Sequence, residues 1–197
     1  MRNTTKRTGL LGVALVATVG WAAIDSMKLG PESRLWVEGT STVRSFTCKA
    51  AVFDAAIESA GENPAAALLA GTQAVTTVKL TVPAERLDCG NGTMNGHMVK
   101  ALKTKDHPTI TFALESYDLA KSADSSVVTM HGALTLGGVT KPIALTGSLV
   151  PTATGAVRLQ GLYELNMKEY QLSPPTLMLG TMRVGERVKV RFDLTMQ

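Results

Sequence analysis

Between Arg187 and Thr195 apolar and charged residues alternate without a break, Val188, Val190, Phe192 and Leu194 against Arg187, Lys189, Arg191 and Asp193. A period of two turns each set to its own face of a sheet. The pattern recurs upstream, where Val157, Leu159, Gly161, Tyr163, Leu165 and Met167 alternate with Arg158, Gln160, Glu164 and Asn166, and only Leu162 interrupts the polar row. Val78, Leu80 and Val82 alternate with Thr77, Lys79 and Thr81, and Ile110, Phe112 and Leu114 with Thr111 and Glu115. Two further strands, Val127–Leu136 and Ile143–Val150, flank a turn at Gly137–Pro142, where glycines permit positive φ and Pro142 opens the next strand. Leu35–Glu38, Val43–Cys48 and Ala51–Glu58 read as less regular strands. About eight strands with short connections and no βαβ spacing predict an antiparallel meander.

Two segments break the period. Met94, Met98, Ala101 and Leu102 share one face of a helix, which predicts a short helix over Met94–Lys103. Residues 171–186 form a long, proline-broken stretch carrying Leu177, Met178, Leu179 and Met182, which leaves hydrophobes exposed unless the loop covers something. Glu58–Gln73, rich in alanine and glycine, is expected to hold one helical turn at most.

The N-terminus has its own character. Arg2, Lys6 and Arg7 precede an uncharged apolar run from Gly9 to Ala23, the length of a signal-peptide core and short for a membrane span of roughly 20 residues. Residues 1–23 therefore read as a signal peptide, the alternative being an uncleaved N-terminal anchor, and 24–33 as a linker before a domain over 34–197. Either way the domain is expected outside the cytoplasm, in the periplasm or secreted. The leader also accounts for the basic pI of 9.2, since setting its three bases aside leaves Lys and Arg close to balance with Asp and Glu. No clustered positive charge remains to meet a nucleic acid. The two cysteines, Cys48 and Cys89, are expected to form one disulfide in an oxidising compartment, the alternative being two buried free thiols.

At about eight strands a closed barrel has a lumen that holds either side chains or one small ligand. The inward rows are mostly Val, Leu, Phe, Met and Tyr, with Gly132, Gly147 and Gly161 interleaved. Such glycines leave open space in the lumen or mark bends in the sheet, and the residues alone allow both.

Three stretches carry a resemblance. Met98–Tyr117 runs from the helix into His107-Pro108-Thr109-Ile110-Thr111-Phe112, Gly132–Leu145 reads GALTLGGVTKPIAL, and Met167–Gln171 with Val184–Val188 frames the last loop. In these the chain resembles the YceI-like family of polyisoprenoid-binding-like proteins, over roughly residues 34 to 197. The family's opening motif, a tryptophan strand followed by two histidines, is here Trp36 with Gly39–Cys48 and neither histidine, which marks a divergent branch. The resemblance implies an all-β, lipocalin-like antiparallel barrel with a short helix that binds an isoprenoid or similar amphiphilic lipid.

Catalytic and metal signatures are missing from the sequence. His97, His107 and His131 stand in neither His-x-x-x-His nor Glu-x-x-His spacing, with His107 read as a turn residue, His131 as outward-facing and His97 as part of a solvated helix face, the alternative being a place at the barrel mouth. The methionines are scattered and read as core filling rather than soft-metal ligands. No nucleophile elbow, phosphate loop or dinucleotide fingerprint occurs, so neither cofactor nor metal is expected. The expected role is carriage or sequestration of a long apolar lipid, without catalysis. Phe112, Leu134, Leu136, Leu145, Tyr163 and Phe192 are assigned to the lumen, and Met94, Met98, Leu177 and Met178 to its mouth. Two alternatives make opposite demands: a partner-binding domain requires a packed lumen, and an enzyme acting on a lipid or quinone-like substrate requires a titratable group inside, such as Tyr163, His97 or Glu115.

Overall fold

A computed structural model describes residues 24–122, 125–177 and 181–197; the leader assignment and Met178 lie outside the described residues. Strands dominate: β1 (Ile24–Met27), β2 (Arg34–Thr40), β3 (Ser45–Ala50), β4 (Asp54–Ala60), β5 (Val75–Pro83), β6 (Leu87–Asp88), β7 (Thr109–Ser122), β8 (Ser125–Leu136), β9 (Val139–Pro151), β10 (Val157–Asn166), β11 (Thr176–Leu177), β12 (Met182–Arg183) and β13 (Arg187–Met196). Helix α1 spans Pro64–Leu69 and α2 spans Gly92–Ala101. Eleven strands form one curled antiparallel sheet in the order β1-β4-β5-β7-β8-β9-β10-β13-β2-β3-β6, and β11 pairs with β12 alone.

The all-β class stands, but strand number and closure differ from the expectation of about eight strands in a barrel without edges. The sheet order has two ends, β1 and β6. One end of the curl is stitched nonetheless. Beyond β1 the chain crosses to β13, where Leu29 bridges Met196, Lys28 and Gln197 exchange backbone hydrogen bonds of 2.7 and 3.0 Å, and the Gly30 N–H donates to the Thr195 carbonyl at 2.8 Å. The stretch expected to be a linker is thus partly strand. It is short and polar, and it holds its place through backbone bonds, which leave no trace in a hydrophobic pattern.

Local chemistry explains most element boundaries. Gly137 and Gly138 both take positive φ (57° and 83°), so β8 and β9 join in a two-residue reversal and β9 starts at Val139, before the expected Pro142. Side chains seal this turn: a Cβ at Gly138 would lie 2.5 Å from the His107 Nε2, and one at Gly137 2.6 Å from a methyl of Leu172. Helix α2 starts two residues earlier than its apolar spacing suggests because Asn91 caps it, its side chain accepting from the Met94 N–H at 3.1 Å. Asn63 caps α1 in the same way, accepting from Ala66 N–H at 3.0 Å.

The alternation in β7 changes phase. Leu114 pairs with Gly132 and Ser116 with His131, leaving Glu115 as an extra, exposed residue in a bulge. Below it Ile110, Phe112 and Leu114 face inward, and above it Tyr117 and Leu119 do. Tyr117, buried, accepts hydrogen bonds from the Ala74 and Val75 N–H groups at 2.9 and 3.0 Å, tying the loop after α1 to the sheet.

Outside the curl, the polar rows pair across strands. The Glu38 carboxylate accepts from the Trp36 indole and from Arg191, both at 2.9 Å, and Asp193 accepts from Arg158 at 2.6 Å and Gln160 at 3.2 Å. The Trp36 bond, then Arg191, holds Glu38 below its ordinary carboxylate range, and Arg158 does the same for Asp193. What these pairs contribute is therefore complete at neutral pH and is lost on acidification. His131 faces outward as expected, 3.5 Å from Asp118.

Candidate functional site

Two clusters of buried side chains pack inside the curl. At the α1 end Met27, Ile57, Leu68, Tyr117, Val157 and Met196 pack together, with Val157 completely buried and Leu68 supplied by α1. At the other end Leu136, Leu165, Met167, Tyr170, Leu172 and Val188 form the second cluster. Between them lies a cavity of about 640 Å³, within the usual size of small-molecule sites. A packed lumen, which the partner-binding alternative required, is not what the structure has.

Phe112, Leu134, Leu136, Leu145, Tyr163 and Phe192 all lie on the cavity wall, and so do Met94 and Met98 of α2. Leu177 is placed only through its backbone pairing with Met182. From that same loop Pro175, Met182 and Val184 reach the wall, so the apolar stretch covers the cavity. The Ser41–Val184 bridge and the Gly185 N–H to Thr40 carbonyl bond of 2.8 Å hold the loop against the end of β2.

Cys48 and Cys89 form a disulfide, and both face the cavity. It joins β3 to the chain leaving β6, one residue beyond the Lys49–Asp88 pair, and so anchors the start of α2. The Cys89 sulfur lies 3.8 Å from that of Met98.

The inward glycines are neither open space nor simple bends. Gly161 faces Phe192 and Gly39 faces Phe46 as direct cross-strand partners, and each phenyl ring lies over its glycine. Phe112 covers Gly132 similarly, its ring atoms 2.8 Å from where a Cβ would stand. Placing aromatic rings over strand glycines restores the packing that the missing side chains forgo. The free volume lies beyond these rings, toward the barrel axis.

Several wall residues escaped the sequence reading. Leu68 lay in a stretch too short and too alanine-rich to show a face, and Tyr117 was hidden by the phase change at Glu115. His97, for which the mouth was the alternative to a solvated face, is half-buried and lines the cavity, since α2 lies across the opening rather than beside it. Ser41 and Arg44 also line it; the expected strand from Val43 begins only at Ser45, and Arg44 sits in the preceding turn.

Of the titratable groups named for an enzyme, Glu115 is exposed at the bulge, whereas Tyr163 and His97 are on the wall. Burial raises the Tyr163 pKa above its ordinary value. Behind it, burial and the neighbouring Tyr163 push Tyr170 up further still. The Tyr170 hydroxyl is buried with Tyr163 as its polar neighbour, at a geometry too loose for a normal hydrogen bond. An unsatisfied buried hydroxyl costs about 1–3 kcal/mol. Tyr170→Phe is therefore expected to leave stability unchanged or raise it by about 1 kcal/mol, read as the midpoint of urea unfolding. A clear loss of stability would reveal a partner for that hydroxyl. Among the described residues no group of three His, Cys, Asp or Glu side chains is placed to hold a metal ion.

A curled antiparallel barrel, blind at one end and capped by a helix and a loop at the other, around an apolar chamber, defines the class. The YceI-like domain model matches residues 32–196, and the chain belongs to that family. Solved structures share the fold. BcnA of Burkholderia cenocepacia has a TM-score of 0.65 at 15% identity, covering 83% of this chain and 96% of its own. A polyisoprenoid binding domain from Saccharophagus degradans has a TM-score of 0.61 at 16% identity, covering 87% and 97%. The Campylobacter jejuni YCEI protein has a TM-score of 0.54 at 14% identity, covering 94% and 97%. No curated protein matches the chain.

Proposed function

We propose that this protein binds a long apolar lipid, an isoprenoid or similar amphiphile, with its tail in the barrel, and carries or sequesters it outside the cytoplasm. The observation that carries the reading is the continuous apolar cavity of about 640 Å³ inside a YceI-like barrel. The Saccharophagus degradans relative, described as a polyisoprenoid binding domain, supports the ligand class. The leader-like pattern of Met1–Ala23 and the Cys48–Cys89 disulfide support an oxidising compartment, periplasmic or secreted.

Hydrocarbon burial suffices for the affinity. About fifteen methylenes at ~0.8 kcal/mol each give ~12 kcal/mol, which covers the ~8 kcal/mol of a micromolar complex and an association cost of about 4 kcal/mol. Binding is favoured over catalysis because the cavity wall is almost wholly apolar, with Arg44 as its one Lys, Arg, Asp or Glu among the described residues. Organic extraction of the purified full-length protein followed by mass spectrometry is expected to yield a long-chain lipid. Stripped protein should then take up an added isoprenoid. A clean extract combined with no uptake would overturn the reading.

A further inference from the structure

The few polar groups on the cavity wall are not scattered. Apart from the tyrosines and the disulfide, they come from two segments: Ser41 and Arg44 in the β2–β3 turn, and Asn91, Thr93 and His97 at the cap and first turns of α2. The segments are neighbours by construction. Lys49 and Ala50 pair antiparallel with Asp88 and Leu87, and Cys48 is bonded to Cys89, so the chain entering α2 runs back along β3 toward Arg44. The mouth thus gathers its polar groups at this turn, and the turn also holds the covering loop, through the Ser41–Val184 bridge and the Thr42 N–H to Arg183 carbonyl bond of 3.0 Å.

Arg44 is the sole Lys, Arg, Asp or Glu among the described wall residues. Its backbone is fully engaged: its N–H donates to the Ser41 hydroxyl at 3.1 Å, and its carbonyl accepts from the Ser41 N–H at 2.8 Å and the Ser41 hydroxyl at 2.9 Å. Its guanidinium, by contrast, has no hydrogen bond or ion pair with any described residue. A planar fork of donors, with its backbone held in place and its head free at the rim of a hydrocarbon chamber, suits a two-oxygen anion. Exposure at the rim means that the cation remains hydrated when the cavity is empty, so it does not incur the desolvation cost it would deeper inside.

We propose that the cavity selects single-chain amphiphiles with an anionic head, a carboxylate or a phosphate, which Arg44 receives at the mouth while the tail lies inside. The inference rests on the lipid-binding reading above and adds the chemistry of the head.

The test uses three ligands with one C20 isoprenoid tail: geranylgeraniol, geranylgeranoic acid and geranylgeranyl phosphate. Each is titrated into stripped full-length protein by calorimetry, in wild type, Arg44→Gln and Arg44→Lys. Wild type is expected to bind at least one anion about tenfold or more tighter than the alcohol, a preference that shrinks as salt rises from 50 to 500 mM. Which anion gains more distinguishes a carboxylate from a phosphate head. Arg44→Gln should bring all three ligands within about threefold of one another, and Arg44→Lys should keep part of the preference. The salt series in wild type decides the matter if a variant folds poorly. Equal binding of all three by wild type, or a preference that survives Arg44→Gln, overturns the head-group assignment alone. Failure of all three to bind overturns the lipid-binding reading with it.

Discussion

Replacing Cys48 and Cys89 together by alanine should lower the free energy of unfolding by about 4 kcal/mol, the value chain entropy gives for a closed loop of this length. The bridge spans 41 positions of sequence, and in the unfolded chain that span is what it restrains. Against a typical stability of roughly 5–15 kcal/mol the loss is a large fraction of the whole. Urea unfolding of oxidised wild type and the double variant, compared through midpoint and slope, measures it. An unchanged midpoint would mean that the bridge restrains nothing in the unfolded chain that other contacts do not already restrain. The site adds a second expectation. The disulfide is what anchors the chain between β6 and α2, so in the variant the amides of α2 should lose hydrogen-exchange protection before those of β8 and β9.

Gly161→Ala should cost about 3 kcal/mol, at the upper end of what overpacking a core normally costs. The added methyl would run into the Phe192 ring and stand 2.7 Å from the Thr146 carbonyl oxygen. The ring lines the cavity, and the carbonyl belongs to β9, whose ladder with β10 ends there. Pairing the substitution with Phe192→Leu removes the ring conflict but not the backbone one, so the double variant should recover roughly half of the loss. Thermal melts of the two single variants and the double variant give the coupling directly. Additive losses would show that ring and glycine do not share their space as described.

These pairings mark the limit of what could be read in advance. Alternation placed Val188 to Leu194 and Val157 to Leu165 on the right strands, because one face of each meets hydrocarbon and the other meets water. The same alternation put Phe112, Leu134, Leu145 and Phe192 on the interior side, and it identified the glycines among them. It could not say what stood over those glycines, since a cross-strand neighbour depends on register and no single strand contains it. Where the period failed, the cause was local. Glu115 loops out of β7 and reverses the faces beyond it, β1 and the Lys28–Gly30 stitch are held by backbone, and Leu68 projects from a helix of six residues. Arg44 was invisible for another reason. It stands in a turn, and only the curl of the whole sheet turns that position into part of a rim.

The buried cluster beneath α1 makes the chamber a socket with a floor instead of a tunnel. A flexible chain must enter it end-on, and once its tip touches Leu68 and Tyr117 any further length has to remain in the solvent. Each added carbon should then strengthen binding only until the socket is full, so that depth rather than any individual contact sets a ceiling on the useful size of the guest.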